Sequence, residues 1–211
     1  MLNIKNLFAR SLLAGLHLGI GVICCGYIES AVIQGLTISI IFLGMMELDY
    51  PLITERWGNA KLMTTFMGYV SPDATKFRLI IRKIIPGNII GILISLLLLL
   101  VLPDMPNYII ENSSWWKILL SSLAVGFLLD NASKSYRLDS KSKWLMFSAG
   151  VCIGTIGLNH FLVDIIRVAS NFIEGNIDLL SGFKIIGISL FGNFLGSRIR
   201  TLIVEDNEKN R

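Results

Sequence analysis

Apolar positions along this chain gather into runs of close to 20 residues, divided by shorter stretches that hold most of the charge. A run of that length matches the hydrocarbon thickness of a bilayer, where backbone polar groups must be satisfied within the segment. Six candidate helices follow, at about 9–28, 31–48, 84–102, 115–131, 144–163 and 181–203. The third gives the clearest signal, through its core IIGILISLLLLLVL. The second, fourth and sixth are short or polar at one end.

Lys and Arg side with one face of this map. Sixteen of the 19 fall at the termini and in the loops of one side, from Lys5 and Arg10 to Lys209 and Arg211. Two, Lys117 and Lys184, fall on the other, and Arg167 lies near the end of the fifth run. Positive loops stay in the cytoplasm, so both termini are expected there. The first run has no small-x-small cleavage site before polar sequence and reads as a retained anchor, not a signal peptide.

Composition agrees. Of 211 residues, 53% are apolar and 16% charged, and mean hydropathy is +0.65. A soluble domain carries about 25% charge, so a water-soluble globule and a disordered chain are both excluded as defaults. The net charge of +4 is placed as membrane flanks, not as a nucleic-acid surface. Cys24, Cys25 and Cys152 sit in apolar runs; their odd number and the lack of C-x-x-C spacing make them small core residues, not a metal site or a disulfide.

A short pattern recurs. Gly87-Asn88-Ile89-Ile90-Gly91 in the third run returns 105 residues later as Gly192-Asn193-Phe194-Leu195-Gly196 in the sixth. The second run ends near Gly44 and Glu47, the fifth near Gly157, Asn159 and His160. Three spans per half would make the second half inverted in the membrane, and inverted repeats with broken helices place sites near the midplane. Most of the 19 Gly read as small faces that let helices approach closely.

Charge at bilayer depth costs about 2.5–3.5 kcal/mol per residue on insertion scales. The second run nevertheless meets Glu47, Asp49, Tyr50 and Pro51, and the fifth meets Asn159, His160, Asp164 and Arg167. Pro51 cannot continue a regular helix, and a break there would present helix ends to a cavity. His160 stands out, because an imidazole both donates and accepts protons. Asp164 and Arg167 share a helix face and can pair. Glu47 is either a tie to neighbouring amides or a pathway group, and Asp49 either meets solvent or lines the path. His17, without polar company in the first run, reads as packing.

This ordered set resembles the formate/nitrite transporter family. That family shows a Gly-rich first span, a second span ending in Glu-Leu and a break, a G-N-x-x-G third span, a G-F-E-H-like fifth, and a second G-N-x-x-G in the sixth. The counterparts here are Ala14-Gly15-Leu16-His17-Leu18-Gly19, Glu47-Leu48-Asp49-Tyr50-Pro51-Leu52, the two Gly-Asn motifs, and Gly157-Leu158-Asn159-His160. The resemblance covers nearly the whole chain and rests on order and spacing. It implies one all-α integral membrane domain, aquaporin-like, with six transmembrane helices in two inverted three-helix repeats (about 1–103 and 112–211). The second and fifth helices would be broken, and the subunits would form a homopentamer. By the same resemblance His160 is the pore histidine, Glu47 the conserved second-span carboxylate and Leu48 a constriction. Asn159, Tyr50, Asp164, Asn88 and Asn193 complete the implied pore set.

Departures from the family are specific. Asn159 replaces a Glu, Asp164 an Asn, and Tyr50 a Thr; Lys117 is the nearest residue to the family's Lys. An added carboxylate at Asp49 or Asp164 repels anions unless it is paired or protonated.

The expected function is a channel or proton-linked transporter for small monovalent anions in the cell membrane, partnered by protons and lipid, with no cofactor, metal or nucleic acid. No Walker loop, H-E-x-x-H or G-x-S-x-G occurs, so the chain is not expected to be an enzyme. Three alternatives stand beside it: a non-conducting scaffold or sensor that keeps the fold, an intramembrane enzyme using Glu47, His160 and Asp164, and a cation pathway.

Overall fold

A computed structural model describes residues 6–48, 80–102, 114–138 and 143–209. Among these residues every regular element is helical. In chain order they are α1 (Leu7–Gly26), α2 (Ala31–Glu47), α3 (Ile85–Leu96), α4 (Trp115–Leu138), α5 (Lys143–Ile156), α6 (Phe161–Ile173) and α7 (Leu179–Lys209). A π-helical turn, Ile80–Ile84, leads into α3, and a 3-10 turn, Leu97–Leu100, follows it.

Four stretches are long and apolar enough to cross a membrane: Leu7–Gly26, Arg82–Leu100, Lys143–Ile173 and Leu179–Ile199. α2 is apolar but shorter. Large apolar side chains cover the outside, among them Ile40 on α2, Leu97 and Leu100 after α3, and Phe183 and Phe191 on α7. Lipid is the solvent that tolerates such a surface. Exposed Trp115, Trp116 and Trp144 start α4 and α5, where indole rings suit a bilayer interface.

Two helix pairs are built alike. In the first, α1 packs on α3. A Cβ on Gly15 would overlap the carbonyl oxygen of Asn88, and one on Gly87 would lie 2.6 Å from Ser11 Cβ. The Asn88 amide donates to the Ser11 carbonyl at 2.7 Å, and the Ser11 hydroxyl donates to the Leu7 carbonyl at 2.7 Å. In the second, α4 packs on α7. A Cβ on Gly126 would overlap the carbonyl oxygen of Asn193, and one on Gly192 would lie 2.6 Å from Ser122 Cβ. The Asn193 amide donates to the Ser122 carbonyl at 2.6 Å, and the Ser122 hydroxyl donates to the Ile118 carbonyl at 2.6 Å. In both pairs the Gly-Asn motif does one physical job. Glycines bring two backbones into contact, and the Asn between them satisfies its amide on the neighbouring helix.

Between the pairs, α2 crosses α5 with Gly150 against Ser39 and Gly154 against Gly35. The Ser39 hydroxyl sits between the carbonyls of Gly35 (2.7 Å) and Phe147 (2.8 Å). At the far end of α2, Glu47 and Lys143 form an exposed ion pair that joins the two helices.

The fifth run differs from its sequence reading in length. It is two helices, α5 and α6, and it continues past residue 163 to Ile173. The charges that seemed to end it are absorbed within the protein: Asp164 is buried and faces Arg167 at 3.5 Å.

α7 begins at a polar cap outside the spans. The Asp178 carboxylate accepts from the Ser181 amide (2.9 Å) and hydroxyl (2.6 Å). These bonds hold its carboxyl below the usual carboxylate range. A folded-state value that is depressed gives stability that is present above the unfolded value and lost as pH falls through the folded one. Asp178→Ala should therefore unfold at lower temperature than wild type near neutrality. The gap should narrow as pH is taken below the ordinary carboxyl value of 3.8, which an acid series of thermal melts reads directly.

Candidate functional site

The interruption between α5 and α6 organises the site. α5 stops at Ile156 because Gly157 turns to φ 71°, a left-handed conformation that glycine adopts without penalty. Residues 158–160 are not helical. Their backbone N–H groups need partners away from water. The Leu158 amide bonds back to Ile153 O at 3.1 Å, and the Asn159 amide reaches the Ser121 hydroxyl at 3.2 Å. The Phe161 amide donates to the Asn193 side-chain oxygen at 2.9 Å. His160 then caps α6 in an extended conformation, with Asp164 N–H bonded to its carbonyl at 2.8 Å.

Asn193 thus does two things at once. Its amide group clamps α4 to α7 through Ser122, and its oxygen fixes the residue after His160.

His160 has no exposed surface. The Phe42 ring of α2 meets its imidazole edge-on, with centroids 5.8 Å apart and planes at 63°. The imidazole therefore lies where the α2 face meets the start of α6.

Beginning at Asn159, next to His160 in sequence, runs a polar chain that is part-buried at Ser121 and Asn159 and buried at Asp164, Ser189 and Ser122. The Ser121 hydroxyl donates to Asn159 Oδ1 at 2.6 Å, and Asn159 Nδ2 donates to Asp164 Oδ2 at 3.2 Å. Ser189 of α7 also donates to Asp164 Oδ2, and the Ser122 hydroxyl lies 3.3 Å from that of Ser189. The other carboxylate oxygen, Oδ1, faces Arg167. The added carboxylate is therefore paired, which is the condition under which it does not repel an anion.

The remaining expected site residues are placed as follows. Asn159, His160, Asp164 and Asn193 come together at the break. Asn88 is buried in the other helix pair, bonded to Ser11. Glu47 pairs with Lys143 at the end of α2. Leu48 is exposed on this single chain, and its carbonyl accepts from the Arg10 guanidinium at 3.1 Å. Tyr50, with Asp49 and Pro51, lies outside the described residues. His17 is on the outer face of α1.

Sequence reasoning missed Ser121, Ser122, Ser189 and Phe42. A signal for two of them existed. The pair Ser122 and Gly126 repeats the four-residue spacing of Ser11 and Gly15, and Ser121 adjoins it. Ser189 and Phe42 carry no local mark, since their partners are distant in sequence. No family model matches the chain, and no curated protein sequence matches it.

Proposed function

We propose that the chain is a channel or proton-linked transporter for small monovalent anions of the formate, nitrite or hydrosulfide kind. Its three-helix halves would lie inverted in the cell membrane, with both termini in the cytoplasm and the subunits in a homopentamer. The observation that carries this reading is the fully buried imidazole at the interruption of an apolar span. A helix interrupted in lipid is costly unless protein satisfies its ends. Here two side chains, Ser121 and Asn193, and the Ile153 carbonyl do so around one histidine. The α6 N-terminus carries partial positive charge, and an imidazole beside it can donate a hydrogen bond or a proton to an arriving anion. The matching architecture of the α1–α3 and α4–α7 pairs supports two related halves.

A second reading is a non-conducting scaffold or sensor, and the complete closure of His160 favours it. Purified protein in lipid vesicles separates the two. Formate, nitrite and hydrosulfide are offered in turn, with Na+ and K+ as cation controls. Uptake of at least one anion above protein-free vesicles is expected. Uptake of none would leave the scaffold reading, and uptake of cations alone would reverse the sign of the path.

A further inference from the structure

On α2, Gly35, Ser39 and Phe42 stand at i, i+4 and i+7, so they share one face of the helix. The first two positions lie against the α5 backbone. A Cβ on Gly154 would come within 2.5 Å of Gly35 Cα, and one on Gly150 within 2.5 Å of Ser39 Cα. The third position meets the break. The Phe42 ring, itself without exposed surface, stands edge-on to the equally closed His160 imidazole. We propose that the Phe42 ring is the gate and size filter of the anion path, shut over His160 in this structure and turned aside when a small anion reaches the imidazole. This inference rests on the transport reading above.

The neighbours of the imidazole differ in what holds them. The chain on either side of His160 is tied by hydrogen bonds: the Asn159 amide to Ser121, the Phe161 amide to Asn193, and the Asp164 amide to the His160 carbonyl. The Asn159 side chain is bonded in turn to Ser121 and Asp164. Moving any of these would leave buried polar groups without those partners, which is costly. A phenyl ring has no hydrogen bond to lose. Packing and its edge contact with the imidazole hold it, and a turn about χ1 between staggered rotamers displaces it. The backbone contacts at Gly35 and Ser39, with the Glu47–Lys143 pair beyond, keep α2 seated on α5 while the ring turns. Leu48, the constriction expected from sequence, is exposed past the last residue of α2.

An apolar constriction closes a path by excluding water as well as the ion. An anion that enters gives up part of its hydration, and the imidazole and the α6 N-terminus replace it. Phe42 carries no charge, so it adds nothing to that attraction and acts through its bulk. The gap left by one displaced ring admits a small flat anion such as formate. Each methylene added to a carboxylate lengthens it and brings more of it against the ring. The side chain at position 42 therefore sets the largest carboxylate that reaches His160.

Two measurements test this on the full chain. In vesicles, uptake of formate, acetate and propionate is compared for wild type, Phe42→Leu and Phe42→Ala. Wild type should carry formate and hold propionate at the level of protein-free vesicles. The largest carboxylate admitted should grow from Phe to Leu to Ala, an order that loss of packing alone does not produce. Propionate uptake by wild type equal to that of formate, or the same size selection in all three proteins, would overturn the filter and leave the transport reading intact. The second measurement reads the seal without transport. Diethyl pyrocarbonate acylates accessible imidazoles, and the chain holds two histidines. His17, on the exposed face of α1, reports that the reagent has arrived. Labelling of His160, read by mass spectrometry of its peptide, should be about tenfold or more faster in Phe42→Ala than in wild type, which reacts only through its minor open state. Phe42→Leu should fall between, and it carries the comparison alone if Phe42→Ala does not fold. Equal labelling of His160 in wild type and variants would overturn the gate. Uptake of no carboxylate by wild type or variants would remove the transport reading, and the gate with it.

Discussion

Gly196→Ala should prevent α4 and α7 from seating, and it is the substitution with the largest expected effect on folding. A Cβ at Gly196 would overlap the Leu123 carbonyl oxygen and come within 2.7 Å of the Phe127 amide nitrogen. Both are backbone atoms of α4, so no rotamer change relieves the overlap; the helices must separate. Overpacking in a tight interior costs about 1–3 kcal/mol when side chains can yield, and a backbone obstacle belongs at or above the top of that range. The separation would also stretch the Asn193–Ser122 bond and detach the amide after His160. Gly44→Ala is the control. Nothing lies within 4 Å of a Cβ there, and relief of glycine's backbone entropy in a helix is worth about 0.5–1 kcal/mol. Thermal unfolding in detergent, followed by helical circular dichroism, should show a large loss for Gly196→Ala and none for Gly44→Ala. Equal melting of Gly196→Ala and wild type would mean that the two helices are not in backbone contact.

Asn193→Leu comes second, and its local signature tests polar satisfaction at the break. Leu keeps the branching of Asn, with bulkier methyl groups in place of the amide, but neither donates nor accepts. The Phe161 amide loses its acceptor at 2.9 Å in a buried site, and the Ser122 carbonyl loses a donor at 2.6 Å. An unsatisfied buried donor costs about 1–3 kcal/mol. The stability loss should therefore come with a local signature. Hydrogen exchange at the Phe161 and Asn159 amides should accelerate, while amides at the Ser39 crossing of α2 and α5 keep their protection. Unchanged exchange at Phe161 would remove Asn193 from its role in holding the break.

Much of this arrangement could be read from residue order. The apolar runs located every α-helix that the structure describes except α6, which lies almost wholly past the fifth run, and the left-handed Gly157 sits in the Gly-Leu-Asn-His segment where a break was expected. The repeated Gly-Asn motif was visible as a pattern. Its meaning was not, because a sequence does not say that each Asn reaches a carbonyl on another helix. Asn88 and Asn193 read as pore residues; the structure gives both to helix clamping, and gives Asn193 a second bond at the break. The end of the fifth run was misjudged for an electrostatic reason. Asp164 and Arg167 are expensive in lipid one at a time, but they cancel as a pair, and Ser189 and Asn159 supply further donors. Glu47 found Lys143 across the α2–α5 crossing, a partner far away along the chain. Distance of that kind also hid Phe42, whose ring lies against His160.

Formate uptake by vesicles that hold the purified chain, run from pH 5 to 8 with wild type beside His160→Asn at matched insertion, bears most directly on an anion path past the buried imidazole. Wild type should exceed protein-free vesicles, and His160→Asn should carry less formate or change the pH dependence of what it carries. Identical uptake by the two proteins at every pH would contradict a role for His160 in the path.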